Sequence, residues 1–202
     1  MKRFVTIVMT LTLVVCCLSA CGSSASSDTD FSSGTHHAEM KIKDYGTVKL
    51  ELDADTAPVT VANFAKLVNE GFYDGLTFHR IIKDFVVQGG DPKGDGTGGS
   101  KETIKGEFES NGVDNNISHK KGVISMARSN DYDSGSSQFF IVLKDSTYLD
   151  GQYAAFGKVT EGMEHIDKIC ADVIAKGTQA VSQQGAVQKD QQPVIESIKM
   201  TD

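Results

Sequence analysis

The sequence is short of positive charge, of cysteine pairs and of long apolar runs, and each shortage removes a class of function. With 20 Lys and Arg against 27 Asp and Glu in 202 residues, the formal charge is −7. No basic cluster interrupts that balance, so the phosphate neutralisation needed for nucleic-acid binding is missing. Of the four cysteines, Cys16, Cys17 and Cys21 fall at the extreme N-terminus. Cys170 is the lone thiol of the remaining chain, which therefore holds no disulfide. It follows Ile166 and Ile169 at helical spacing, as a buried structural thiol would, and His165 stands at the wrong helical offset to activate it. His79, His119 and His165 show no metal-ligand spacing, no nucleophile elbow surrounds a serine, and no internal repeat is present. A hydrophobic content of 39% and a charged content of 23% are those of a globular protein, with room for one domain and an appendage.

The appendage is N-terminal. Lys2 and Arg3 precede an apolar run from Phe4 to Val15, and Leu18-Ser19-Ala20-Cys21 follows. These are the charged, apolar and small-residue regions of a secretory signal, and the run is too short for a comfortable transmembrane helix. Leu-Ser-Ala-Cys resembles the bacterial lipobox, which implies removal of residues 1–20 and lipidation of Cys21. An ordinary signal peptide with a cysteine beside its small-residue site is the alternative. Loss of residues 1–20 leaves 18 basic against 27 acidic residues, or −9. Residues 21–37, mostly Gly, Ser, Ala, Asp and Thr with a lone Phe31, read as a flexible tether that also carries His36-His37. The expected location is the outer face of the cytoplasmic membrane. Gly22, which is no retention mark, permits the outer membrane in a double-membrane cell.

A folded domain is expected over 38–202. Met40–Lys43 and Val48–Leu52 alternate apolar and charged residues around Asp44-Tyr45-Gly46, a half-buried hairpin. Asp55-Thr56 offers a helix cap, and Val61, Phe64, Ala65 and Val68 give one apolar face to a helix from Pro58 to Glu70. Short apolar runs follow at Thr77–Ile82, Phe85–Gly89, Gly122–Ala127, Gln138–Leu143 and Ala155–Val159, with glycine-rich turns between them. A second helix is expected over Met163–Ala171, a polar surface loop over Val173–Gln192, and a last strand over Pro193–Met200 near the first hairpin. Many short strands and two helices make a mainly β protein, a closed antiparallel barrel of about eight strands with helices capping its ends.

Asp91, Asp95, Gly96 and Glu102 fall at EF-hand-like positions, but Lys93 stands where an oxygen ligand belongs and no flanking helices appear. Gly94–Gly99 lacks the ending of a phosphate cradle and reads as a surface loop. The densest segment is Phe78-His79-Arg80-Ile81-Ile82-Lys83-Asp84-Phe85-Val86-Val87-Gln88-Gly89-Gly90-Asp91. Further blocks are Gly96-Thr97-Gly98-Gly99, Gly122–Ala127, Ser137–Ile141, Leu149-Asp150-Gly151 and Phe156–Val159. In order and spacing they resemble the cyclophilins, barrel-shaped peptidyl-prolyl isomerases, from about Ala38 to the C-terminus.

The resemblance implies rotation about X–Pro bonds with no metal or cofactor, acting on unfolded or flexible proline-containing segments of exported proteins. Read alone, Arg80 is better taken as a strand-end arginine in a salt bridge; matched to the family it aligns with the catalytic arginine. Phe85, Phe140 and Leu149 match the proline pocket, while Phe139, facing the other way on its strand, belongs to the core. Gln88 and Gln138 match glutamines that orient the arginine and bind substrate backbone, and Ala127 and Arg128 match a strand end that bonds the peptide through main chain. Val86 stands where methionine is common and Arg128 where asparagine is. Tyr148 replaces a tryptophan, which implies weak cyclosporin binding, and Tyr153 replaces a pocket histidine. A monomer is expected. The competing reading is a non-catalytic proline-binding or chaperone module on the same fold, suggested by Tyr153. A hydrolase using Ser137 and His79 lacks any recognised triad context.

Overall fold

The computed structural model describes residues 30–177 and 181–202; the expected signal segment and Cys21 lie outside the described residues. Alternation builds the first hairpin. Strand β1 (Thr35–Ile42) buries His36, Ala38, Met40 and Ile42, and β2 (Gly46–Asp53) buries Val48, Leu50 and Leu52. Met40 pairs with Val48 and Ala38 with Leu50, so both apolar faces enter one core. Gly46, at φ 123°, also admits the His165 ring, whose Nε2 would lie 2.8 Å from a Cβ there.

Strand β1 begins before the expected boundary at Ala38. Phe31 packs on the core with its ring 4.8 Å from that of His36, and Gly34 donates its N–H to Asp55. The Asp202 carboxylate binds Nδ1 of His36 at 2.7 Å and Nδ1 of His37 at 3.0 Å. Residues expected as tether are thus held by partners at the far end of the chain, which local composition does not reveal.

Helix α1 (Pro58–Asn69) buries the expected face of Val61, Phe64, Ala65 and Val68. Its cap is different from the expected Asp55-Thr56, because Asp55 is engaged with Gly34 and the capping residue is Ala57, without a side-chain bond. Glu107, only 3% exposed, supplies the cap from a distant loop. It accepts N–H bonds from Val59 (2.9 Å) and Thr60 (2.8 Å) and the Thr60 hydroxyl (2.6 Å). A carboxylate there satisfies orphan donors and meets the positive end of the helix dipole.

The remaining strands are β3 (Thr77–Ile82), β4 (Val86–Asp91), β5 (Val123–Met126), β6 (Phe139–Val142), β7 (Ala155–Glu161) and β8 (Ile195–Met200). All pairings are antiparallel in the order β3-β4-β6-β5-β7-β2-β1-β8. The two edge strands meet at one end only, through a Thr77–Val194 bridge and the bonds Phe78 N–H to Pro193 C=O (2.9 Å) and Ile195 N–H to Leu76 C=O (2.8 Å). The barrel closes at that corner rather than by a continuous ladder. Helix α2 (Met163–Ala175) runs past the expected Ala171, since Ile166, Ile169, Cys170 and Val173 continue one buried face.

Inside the barrel, the Phe64 ring lies 5.2 Å from Tyr73, 5.9 Å from Phe139 and 5.3 Å from Phe156. Strands β5 and β6 are buried on both faces. Phe139 and Ile141 join the main core, whereas Phe140 and Val142 join a smaller cluster with Val86, Val123, Leu149 and Ala155 outside the barrel wall. A sheet face whose own apolar layer borders an open cavity at Val86, Phe140 and Leu149 is a place to receive a ligand.

Replacing Glu107 with Ala would strand the α1 donors in a buried site. Urea unfolding should show a loss of about 2–3 kcal/mol.

Candidate functional site

Antiparallel register lines up one row of side chains across four strands. Arg80 on β3 pairs with Gln88 on β4, Gln88 with Phe140 on β6, and Phe140 with Ser125 on β5. Strand spacing puts the Arg80 and Phe140 backbones about 10 Å apart, room for a small ring between a cation and an aromatic face. They line one cavity of about 750 Å³ together with Phe85, Val86, Gln88, Ala127, Arg128, Leu149 and Tyr153.

Hydrogen bonds hold the polar half of the row. Arg80 donates from Nη1 to Gln88 Oε1 (3.1 Å), and Gln88 Nε2 donates to Gln138 Oε1 (2.9 Å). Gln138 Nε2 ends the chain on the carbonyls of Gly96 (3.1 Å) and Gly98 (2.7 Å). Each amide therefore has one orientation only, with oxygen towards Arg80 and nitrogen away from it. Burial lowers the pKa of the Arg80 guanidinium from its ordinary value, although arginine remains cationic at physiological pH. No carboxylate lies within 4.0 Å of it among the described residues, so the strand-end salt bridge is not formed.

The apolar half is equally fixed. Phe140 is backed by the His119 ring, stacked at 6.1 Å and 19°, and met edge-on by Tyr153 at 5.7 Å. Phe85 leaves the β3–β4 turn after Asp84, which adopts φ 58°. Leu149 comes from a 3-10 turn at Thr147–Leu149.

Residues 37–200 match the profile of the family described as cyclophilin type peptidyl-prolyl cis-trans isomerase/CLD. The chain belongs to the cyclophilins. It is 52% identical over 123 residues to peptidyl-prolyl cis-trans isomerase B of Bacillus subtilis (strain 168), an alignment covering 61% of this chain and 82% of that one. A peptidyl-prolyl cis-trans isomerase of Helicobacter pylori (strain ATCC 700392 / 26695) is 48% identical over 126 residues, covering 61% and 74%. A crystal structure of a cyclophilin type isomerase from Cryptosporidium parvum, determined in the presence of the dipeptide Ala-Pro, superposes with a TM-score of 0.70 at 26% identity. That match spans 82% of this chain and 99% of the other. The reaction is peptidyl-prolyl cis–trans isomerisation.

Two of the expected site residues of this cyclophilin lie off the cavity wall. Gln138 faces an adjoining depression with Gly96–Gly99 and Ser136. Tyr148 is 70% exposed and reaches the site only by stacking on Phe85 at 6.0 Å. The departures at Arg128 and Tyr153 meet each other, with the Arg128 guanidinium 4.7 Å from the Tyr153 ring, 5.1 Å from Phe108 and 4.8 Å from Tyr132. It also donates to the carbonyls of Gln152 and Ser129.

Other contributors had no signal in the pattern of side chains. The Val173–Gln192 stretch is no plain surface loop: Val173 ends in α2, Val181 and Val187 are buried, and Ser182, Ala186, Val187, Gln188 and Lys189 line the cavity. The EF-hand-like Asp91 accepts N–H bonds from Lys93 (2.8 Å), Asp95 (3.1 Å) and Gly96 (2.6 Å), so its carboxylate folds the loop around itself. Behind Phe140, Ser125 Oγ–H donates to His119 Nε2 at 3.0 Å, and His119 Nδ1–H donates to Asp150 at 2.8 Å. This resembles a hydrolase triad in geometry, but Ser125 and His119 are fully buried. Ser137, for its part, donates to the Gly90 carbonyl and makes no bond to His79.

Burial lowers the pKa of His119, with the Asp150 contact opposing, and burial likewise lowers that of His79, whose ring nitrogens have no partner among the described residues. His119 is thus a neutral donor to Asp150 rather than half of an ion pair. Both rings take up protons less readily folded than unfolded, so the unfolded state gains protons first as pH falls. Urea unfolding should show stability declining from about pH 7 towards about pH 5, beginning near the ordinary histidine pKa of about 6.5. The NMR signals of the His119 ring should show it neutral, with the proton on Nδ1, through the start of that decline.

Proposed function

We propose that Arg80 drives the isomerisation, that the apolar wall beside it grips proline, and that the enzyme works on exported polypeptides from a lipid anchor at Cys21. The X–Pro bond resists rotation by about 20 kcal/mol because its nitrogen lone pair is delocalised into the carbonyl. A donor aimed at the prolyl nitrogen localises that pair and weakens the double-bond character. Turnover of about 10³ per second requires removal of about 6–7 kcal/mol. A guanidinium held in a partly desolvated pocket, with further donors for the rotating carbonyl, is of the right strength.

The observation that carries this reading is the row itself: Arg80 and Phe140 flank Gln88 on one face, over apolar Val86 and Leu149. Phe85 and Phe140 supply the aromatic surface for the ring, and Tyr153 closes its edge. Gln88 acts as a positioning residue through its bond to Arg80. Gln138, Ala127 and Arg128 offer amide and main-chain groups to an extended peptide, and Tyr148 forms an exposed rim that should hold cyclosporin weakly. An X–Pro pair of the size of Ala-Pro is the unit we assign to the cavity.

Isomerisation can limit protein folding, so clients emerging outside the cytoplasmic membrane give such an enzyme its use. The charged, apolar and lipobox-like segments up to Cys21 support export and anchoring.

Arg80→Ala should lower catalytic efficiency towards an X–Pro peptide by about 10²–10³-fold, with an unchanged circular dichroism spectrum. Near-wild-type activity in the folded variant would remove Arg80 from the mechanism. Cells producing Cys21→Ser should release the protein from the membrane fraction; continued membrane association would place the anchor elsewhere.

A further inference from the structure

Beyond Gln88, a second element touches the Arg80 side chain. Residues 181–187 form a small hairpin closed by a Val181–Val187 bridge, with Ser182 N–H bonded to the Ala186 carbonyl (2.8 Å) and Ala186 N–H to Ser182 Oγ (3.0 Å). It lies along the free edge of β3. Ile81 N–H donates to the Gly185 carbonyl (2.7 Å), Val187 N–H donates to the His79 carbonyl (2.8 Å), and Ala186 pairs with Arg80. Gln192 ties the following turn to the neighbouring loop, donating to the carbonyls of Gly94 (2.8 Å) and Val187 (3.0 Å). At the hairpin tip, the Gln184 carbonyl accepts the Arg80 Nε–H at 3.2 Å.

The geometry points to this strap as a positioning element for Arg80, with the Gln184 main-chain carbonyl as the group that sets the plane of the guanidinium. The inference rests on the reading of Arg80 given above. An arginine has five N–H donors in a rigid planar fork. Here Nε–H is held from the strap and one Nη1–H from Gln88, so the plane is fixed from both sides and three donors stay uncommitted for substrate. Holding a long side chain in place before substrate arrives removes an ordering cost from the reaction step. Cover for the β3 edge alone would require the ladder bonds at Ile81 and Val187, but not a carbonyl on the arginine itself.

Gly185 is the point at which the strap can be moved. Its φ is 85°, and a Cβ there would stand 2.8 Å from the Ile81 carbonyl oxygen and closer still to Ile82 Cγ1. Gly185→Ala should therefore lift the tip from β3. Ser182→Ala is a gentler second variant, removing the hydroxyl that accepts the Ala186 N–H. The experiment is NMR exchange on an X–Pro peptide with the full chain, which separates the rate of rotation on the enzyme from the dissociation constant. Amide hydrogen exchange at Ile81 and Val187 and the Nε–H signal of Arg80 are recorded beside it.

In Gly185→Ala the on-enzyme rate should fall about tenfold or more while peptide affinity stays within about threefold. The Arg80 Nε–H signal should shift and exchange faster, as should the two amides. Ser182→Ala should move the same readouts in the same direction and decides the matter if Gly185→Ala does not fold. A freed strap and a freed Nε–H with an unchanged rate would overturn the inference and leave the strap as edge cover. Equal rates for wild type and Arg80→Ala would overturn the reading of Arg80, and this inference with it. A slow Arg80→Ala beside an unimpaired Gly185→Ala would overturn this inference alone.

Discussion

Phe139 and Phe140 are neighbours on one strand and face opposite ways, and the enzyme is organised around the wall between them. Phe139 enters the barrel and packs on Phe64 and Tyr73; Phe140 stands outside, over Val86 and Leu149. Strand geometry forces this division, because successive side chains alternate across a sheet. The filled barrel holds the wall rigid, and the wall presents Phe140 at a set height beside its cross-strand neighbours. A register slip of a single residue would turn Phe140 into the core and bring Phe139 to the site. Stability and the proposed chemistry therefore depend on the same ladder.

That ladder also explains how a cation can work beside an apolar surface. Arg80 and Phe140 are separated by one intervening strand, whose Gln88 orients the first and borders the second. The Gln88–Gln138 chain ends on carbonyls of the Gly96–Gly98 loop, and that loop is itself folded by the Asp91 carboxylate. Glycine is required in this loop, since a Cβ at Gly98 would collide with Asp91. The guanidinium is thus held by neutral dipoles rather than by a carboxylate, which leaves its charge available to a ligand.

Two of the four departures from the family pattern, Arg128 and Tyr153, lie together on the opposite rim. Arg128 lies against Phe108, Tyr132 and Tyr153, and three aromatic faces around one cation make a well-held group. Tyr153 and Arg128 read in the sequence as separate substitutions; in space each is the other's partner. Tyr153 still offers an aromatic edge to Phe140, so the pocket keeps its shape while its polar tip changes. Tyr153 is thus compatible with a working pocket and is not by itself the mark of a merely binding module.

Much was legible from residue order. Alternation marked the β1–β2 hairpin, the i, i+3, i+4, i+7 spacing marked α1, and the ordered motif blocks pointed to Arg80, Phe85, Gln88 and Phe140 as one site. These signals are local, carried by side-chain periodicity or by near-contiguous motifs. Glu107 as the cap of α1, Asp202 as the clasp on β1, and the Gln184 carbonyl on Arg80 left no such trace. Each joins segments far apart in the chain, and the last uses a main-chain oxygen that every residue possesses. Sequence by itself determined most element types, the family and which side chains are candidates for the chemistry, because these follow from residue identity and spacing. Only the tertiary structure decided which of them share a row, what holds the arginine and where the barrel closes, because those depend on register and on backbone groups that no side-chain pattern encodes.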